Sequence, residues 1–135
     1  MKNLDLNQAV VAMFVLCSDV SKLTVHGIPY VYFRPRCRGY SQVIQYIFKK
    51  NNIYSELHRS HYYNIGETKN LVVRTPVSDL SENTEFKNVF NSIYADKNEY
   101  CLVSLSNSEP SACLFKLWPG YRKLKFINEM ANKVK

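Results

Sequence analysis

The sequence is poor in the local signatures that announce a chemistry. It holds no glycine-rich phosphate loop, no HExxH, no GxSxG and no dinucleotide fingerprint, so none of those four catalytic or cofactor classes has its machinery here. Its four cysteines, Cys17, Cys37, Cys101 and Cys113, are too far apart for any CxxC pair, which argues against a zinc ribbon or a redox motif. They read as reduced thiols. Long apolar runs are also missing: the longest, 9–17, spans nine residues, against the roughly 20 that a membrane helix needs. Lys2 is the only cation before that run and Cys17-Ser18-Asp19 is a poor cleavage site, so the run reads as a core helix of a cytoplasmic protein and not as a secretory signal. With no repeat, no low-complexity tract and no long linker, residues 1–135 read as one α+β domain, large enough to bury a core without disulfide or metal staples.

Acidic residues are scarce where basic ones concentrate. Residues 22–75 carry nine Lys and Arg against Glu56 and Glu67, which matches the whole net charge of +7. Residues 79–109 hold six acids and two lysines, and 116–135 hold six basic residues against Glu129. Such segregation predicts a basic face with an acidic patch elsewhere. Ten tyrosines among 13% aromatics add stacking surface, and phosphate neutralisation with base stacking are the two separate demands of nucleic-acid contact.

The apolar pattern predicts a helix over 5–20, then strands over 23–25 and 28–33 joined at His26-Gly27. Tyr40, Val43, Ile44, Ile47 and Phe48 share one face of a second helix, and Gln42, Gln45, Lys49 and Lys50 occupy its other face. Strands over 53–63 and 70–75 follow, separated by a loop at 64–69. Asp79, Ser81 and Asn83 open a third helix; 100–105 and 112–118 read as another strand pair, and 121–134 as a basic helix. The expected architecture is an antiparallel sheet with helices packed on one side, in the order α-ββ-α-ββ-α-ββ-α. One sheet face is then left for a partner.

Within 30–50, Arg34, Arg36 and Arg38 precede a helix start at Gly39-Tyr40. Guanidinium forks beside exposed N–H groups suit a phosphate, and Cys37 between two arginines is placed to be reactive. The competing reading is a solvated loop paired with the acidic 79–109 segment. His58 and His61 form HxxH, but in a strand they point to opposite faces and cannot share a metal without a bend. Acid–base or metal-dependent cleavage needs carboxylates gathered together, and the basic region offers only Glu56 and Glu67, with Asp19 just before it. No cofactor or metal is expected.

Two resemblances bear on nuclease chemistry. Ile65-Gly66-Glu67-Thr68-Lys69-Asn70-Leu71-Val72-Val73-Arg74 is similar to the second half of the GIY-YIG nuclease signature, with Gly27-Ile28-Pro29-Tyr30 upstream; the resemblance implies a catalytic arginine at Arg74, carried on a helix. The order helix, two strands, helix, two strands, helix over 5–94 resembles the LAGLIDADG homing-endonuclease fold, which implies a metal-binding acid at the end of the first helix, near Asp19.

The residues point first to a non-enzymatic, regulatory protein that binds DNA or RNA through Arg34, Arg36, Arg38, Tyr40, Lys49, Lys50, Arg59, His61, Arg74, Arg122, Lys123 and Lys125. The alternative is a protein-interaction module that meets an acidic partner surface. A degenerate homing-type nuclease is the third reading.

Overall fold

Phe33 sits at the centre of the computed structural model, which describes residues 4–60, 70–105 and 112–134; the side chains of Arg59, Ser60 and Asn70 are not described. The elements run α1 (Leu6–Val15), β1 (Cys17–Val25), β2 (Ile28–Pro35), α2 (Arg38–Lys50), β3 (Glu56–Ser60), β4 (Asn70–Pro76), α3 (Val77–Glu82), α4 (Thr84–Tyr94), α5 (Lys97–Cys101), a 3-10 turn (Phe115–Leu117), α6 (Gly120–Ala131) and a closing 3-10 turn (Asn132–Val134). The strands form one four-stranded antiparallel sheet in the order β1-β2-β4-β3. This is the expected α+β class. Through residue 94 the order is helix, hairpin, helix, hairpin and then two separate helices, α3 and α4, where one was expected.

Alternation along the strands decides which sheet face is covered. Val31, Phe33 and Val73 point into the buried cluster, and Phe33 meets Phe14 of α1, Phe48 of α2 and Phe90 of α4 at ring-centroid distances of 5.8, 5.5 and 6.0 Å. Three helices therefore lie on that face. His26 and Gly27 take φ values of 50° and 80° in the β1–β2 turn, where glycine bears the positive value without steric cost.

Four expectations are corrected. The first helix stops at Val15 because the chain enters β1 at Cys17, and its end is closed from a distance. Arg36 donates through its backbone N–H to Leu16 O (2.9 Å) and through Nε to Val15 O (2.9 Å). The same guanidinium donates to Cys101 O, the last residue of α5. One cation thus serves two helix C-termini, where carbonyl dipoles favour positive charge.

The helix expected to be opened by Asp79, Ser81 and Asn83 is divided at Asn83. That residue caps α4 by accepting from Phe86 N (3.0 Å) and donates to Asn51 O beyond α2 (3.1 Å). The third strand pair does not form in the described residues. Tyr100 and Cys101 are helical in α5, and Phe115 is buried from a 3-10 turn; short apolar runs fit a strand or a buried helix equally well by periodicity, and here packing against Phe14 and Trp118 decides. Finally, α2 begins at Arg38. That is one residue before the expected start, and Ser41 Oγ donates back to Arg38 O (2.7 Å). His61, the 64–69 loop and the 106–110 turn lie outside the described residues.

Replacing Arg36 by Met keeps the aliphatic stem and orphans the carbonyls of Val15 and Cys101. The expected loss is about 2–3 kcal/mol, the scale of hydrogen bonds made by a charged group to buried acceptors, read as a lower urea midpoint with an unchanged slope. A midpoint equal to wild type would show that the clamp contributes nothing.

Candidate functional site

The outward face of α2 meets the 3-10 turn and α6 to form a cleft. Gln42, Gln45, Tyr46 and Lys49 come from α2, Phe115 and Lys116 from the turn, and Lys123 from α6, around a volume of about 450 Å³. A second depression of about 340 Å³ shares Gln42, Gln45 and Lys116 and runs on to Arg38, Leu57, Leu71 and Cys113. No carboxylate among the described residues lines either one.

The local sequence explains the cleft. The α2 spacing buries Val43, Ile44, Ile47 and Phe48, which turns Gln42, Gln45 and Lys49 outward. Gly39 is pressed against backbone: a Cβ there would lie 2.6 Å from Ala112 C and from Cys113 N. Gln42 fastens the same segment, donating from Nε2 to Cys113 O (2.8 Å) and accepting at Oε1 from Lys116 N (3.1 Å). That pair of bonds fixes Lys116 beside α2. Phe115 and Tyr46 meet edge to face with centroids 5.4 Å apart, and Lys123 Nζ lies 4.8 Å from the Tyr46 ring and 5.5 Å from the Phe115 ring. Burial raises the Tyr46 phenol above its ordinary pKa and keeps it neutral.

The sequence-predicted residues divide among several places. Arg38, Lys49 and Lys50 are exposed along α2, and Lys123 joins them from α6. Arg122 and Lys125 are exposed on α6, with the Arg122 guanidinium 4.0 Å from the Trp118 ring. Arg34 is half-buried at the end of β2, opposite Asp19. Arg36 faces inward on its carbonyls, so its guanidinium serves the fold. Tyr40 is only 6% exposed and packs against Phe126, so it cannot stack on a base as expected. Nor is the first turn of α2 an open anion cradle on the side of Gly39, because the backbone of 112–113 covers it. Arg59 has its backbone in β3 opposite Leu71, while its side chain, like His61, is outside the description.

Arg74 lies across the sheet from the cleft, in strand β4 and not on a helix. Its Nε donates to Glu56 Oε1 (2.9 Å), its Nη1 donates to Tyr32 OH (3.1 Å), and its guanidinium sits 4.4 Å from the Tyr30 ring. Tyr54 OH donates to Glu56 Oε2 (3.0 Å). This face is aromatic and charge-balanced. Asp19, within β1, is 3.4 Å from Lys97 Nζ, and among the described residues no three of His, Cys, Asp and Glu gather as metal ligands. Burial raises the thiol pKa of Cys17 and of Cys101, which makes both inert.

Sequence reasoning missed Lys116, Tyr46 and Phe115. Lys116 fell in a segment read as a strand, and Tyr46 lies beside the apolar stripe, so only the outward position of Gln42, Gln45 and Lys49 signalled a site. Comparison with known proteins adds no name to this geometry: no family model, curated protein or solved structure matches the chain.

Two outcomes test these contacts. Gly39→Ala forces a Cβ onto backbone that cannot rotate away, and overpacking of that kind costs about 1–3 kcal/mol, measurable by urea unfolding. An unchanged midpoint would mean that the 112–113 segment is loosely held. On the sheet, the Arg74 hydrogen bond comes first among the causes that lower the Glu56 pKa, with Tyr54 assisting against burial. A depressed carboxyl pKa contributes stability above the unfolded value, about 4.3 for Glu, and loses it as pH falls through the folded value. Glu56→Gln should therefore flatten the stability profile in that acidic window and leave its slope near neutrality unchanged. Identical acid profiles for variant and parent would refute the linkage.

Proposed function

We propose that the chain is a nucleic-acid-binding protein that acts by binding and not by catalysis, and that the α2 cleft is its contact surface. The observation that supports this most is the convergence of Lys49, Lys116 and Lys123 on an aromatic wall with no carboxylate among the described residues that line it. Lysines in a concave, acid-free setting concentrate positive potential, which suits a polyanion. Arg38 and Lys50 extend the cation track along α2, and Arg122 and Lys125 continue it on α6. No described helix is long and apolar enough to cross a membrane, and all four cysteines are free thiols, two of them exposed, which favours a cytoplasmic setting. The binding role is regulatory on this reading.

A second reading has its own support. Leu114, Leu117 and Tyr121 are 65, 79 and 75% exposed beside the same lysines, an apolar and basic combination that suits an acidic protein partner. That reading predicts a protein complex sensitive to Leu117→Asp, with no nucleic-acid affinity.

Fluorescence anisotropy with labelled DNA and RNA tests the proposal. Five cations, Arg38, Lys49, Lys50, Lys116 and Lys123, should make affinity fall roughly two to three orders of magnitude between about 50 and 200 mM salt. Each of Lys49→Ala, Lys116→Ala and Lys123→Ala should lower the log–log salt slope by about one, whereas Arg74→Ala should leave it unchanged. Absence of binding at low salt overturns the proposal.

A further inference from the structure

The cleft is asymmetric in a way that simple phosphate binding does not need. Its rim is cationic, but its wall is the Tyr46 and Phe115 rings, and two amides stand between them and Arg38. The amides are not equivalent. Gln42 has its oxygen and its nitrogen committed to the 113–116 backbone, while the side-chain amide of Gln45, one turn further on, makes no hydrogen bond among the described residues and lines both depressions. An amide with a free donor and a free acceptor beside an aromatic ring can read the edge of a base whose face rests on that ring.

We infer that the cleft takes one unstacked nucleotide of a single strand, with its base against Tyr46, its edge on Gln45 and its flanking phosphates on Lys49, Lys116 and Lys123. This rests on the nucleic-acid reading above and narrows it. The volume, about 450 Å³, lies in the range of roughly 300–1,000 Å³ that encloses a small molecule. A duplex cannot use it. In a duplex, neighbouring bases cover both faces of each base, so only its phosphates would reach the lysines. In the free protein Lys123 and Lys50 lie 4.8 and 5.6 Å from the Tyr46 ring. Both have long single-bonded stems, so an entering base exchanges a cation–π contact for stacking while the ammonium moves to a phosphate.

The test compares a short labelled single strand with a blunt duplex of the same sequence, and adds the corresponding nucleoside monophosphate as a competitor. The single strand should bind at least tenfold more tightly than the duplex, a ratio on the scale of one stacked base. Gln45→Ala, on the outer face of α2, and Tyr46→Leu should each weaken single-strand binding by roughly tenfold and leave duplex binding unchanged. A normal thermal melt confirms that each variant is folded. Equal affinity for strand and duplex, or single-strand affinity unaltered in both variants, overturns the nucleotide pocket and leaves the nucleic-acid reading standing. Failure to bind either polymer overturns both. A monophosphate that binds as tightly as the strand overturns the inference in favour of a small-molecule site.

Discussion

The fold turns on one ring. Phe33, in the second strand, touches Phe14, Phe48 and Phe90, and through them it binds α1, α2 and α4 to a single face of the sheet. Because side chains alternate along a strand, committing Phe33 and Val31 inward commits Tyr30, Tyr32 and Arg34 to the opposite side. Three residues later, just past the end of β2, Arg36 closes the ends of α1 and α5, so one short stretch of chain sets both the packing and the helix ends. Once Phe48 is docked against Phe33, the rotation of α2 is fixed. Its Gln42, Gln45 and Lys49 must then face the 112–118 segment and α6.

The two surfaces that result have opposite electrostatic designs. On the outer sheet face Arg74 is surrounded by Glu56 and by Tyr30 and Tyr32, so its charge is balanced and two of its donors are used. In the α2 cleft three lysines arrive from three different elements, and no ion pair among the described residues engages them. Like charges brought together this way repel one another in the free protein, and ring contacts at Tyr46 and Phe115 offset only part of that cost. On the proposed function, an anionic partner would relieve the rest. The salt pairs elsewhere, Arg74 with Glu56 and Lys97 with Asp19, occupy residues that the nuclease resemblances would have used for chemistry.

What could be read in the sequence was whatever depends on neighbours in the chain. The five-point spacing of α2, the His26-Gly27 turn and the succession of two hairpins among helices rest on local periodicity and turn chemistry, and they stand in the structure. Arg36 could not be read correctly, because its partners Val15 and Cys101 are 21 and 65 residues away, and an arginine beside two others resembles a phosphate clamp until those carbonyls are placed. Tyr40 belonged to the apolar face of α2 by spacing, and its burial against Phe126 follows from that position and not from its polar hydroxyl. Lys116 was invisible as a site residue because the turn that carries it reaches α2 only through long-range contacts, among them its bond to Gln42 across 74 residues of sequence. The candidate site was thus half legible, as a helix face without its opposite wall.

The proposed function makes a claim of place: that nucleic acid would meet the α2 cleft and not the outer sheet face. Titrating an oligonucleotide into isotope-labelled protein and following amide and side-chain NMR shifts tests this directly. The account predicts shifts concentrated at Gln42, Gln45, Lys49, Lys116 and Lys123, with Tyr30, Tyr32, Glu56 and Arg74 still. Shifts confined to the sheet face around Arg74, with the cleft silent, would contradict it.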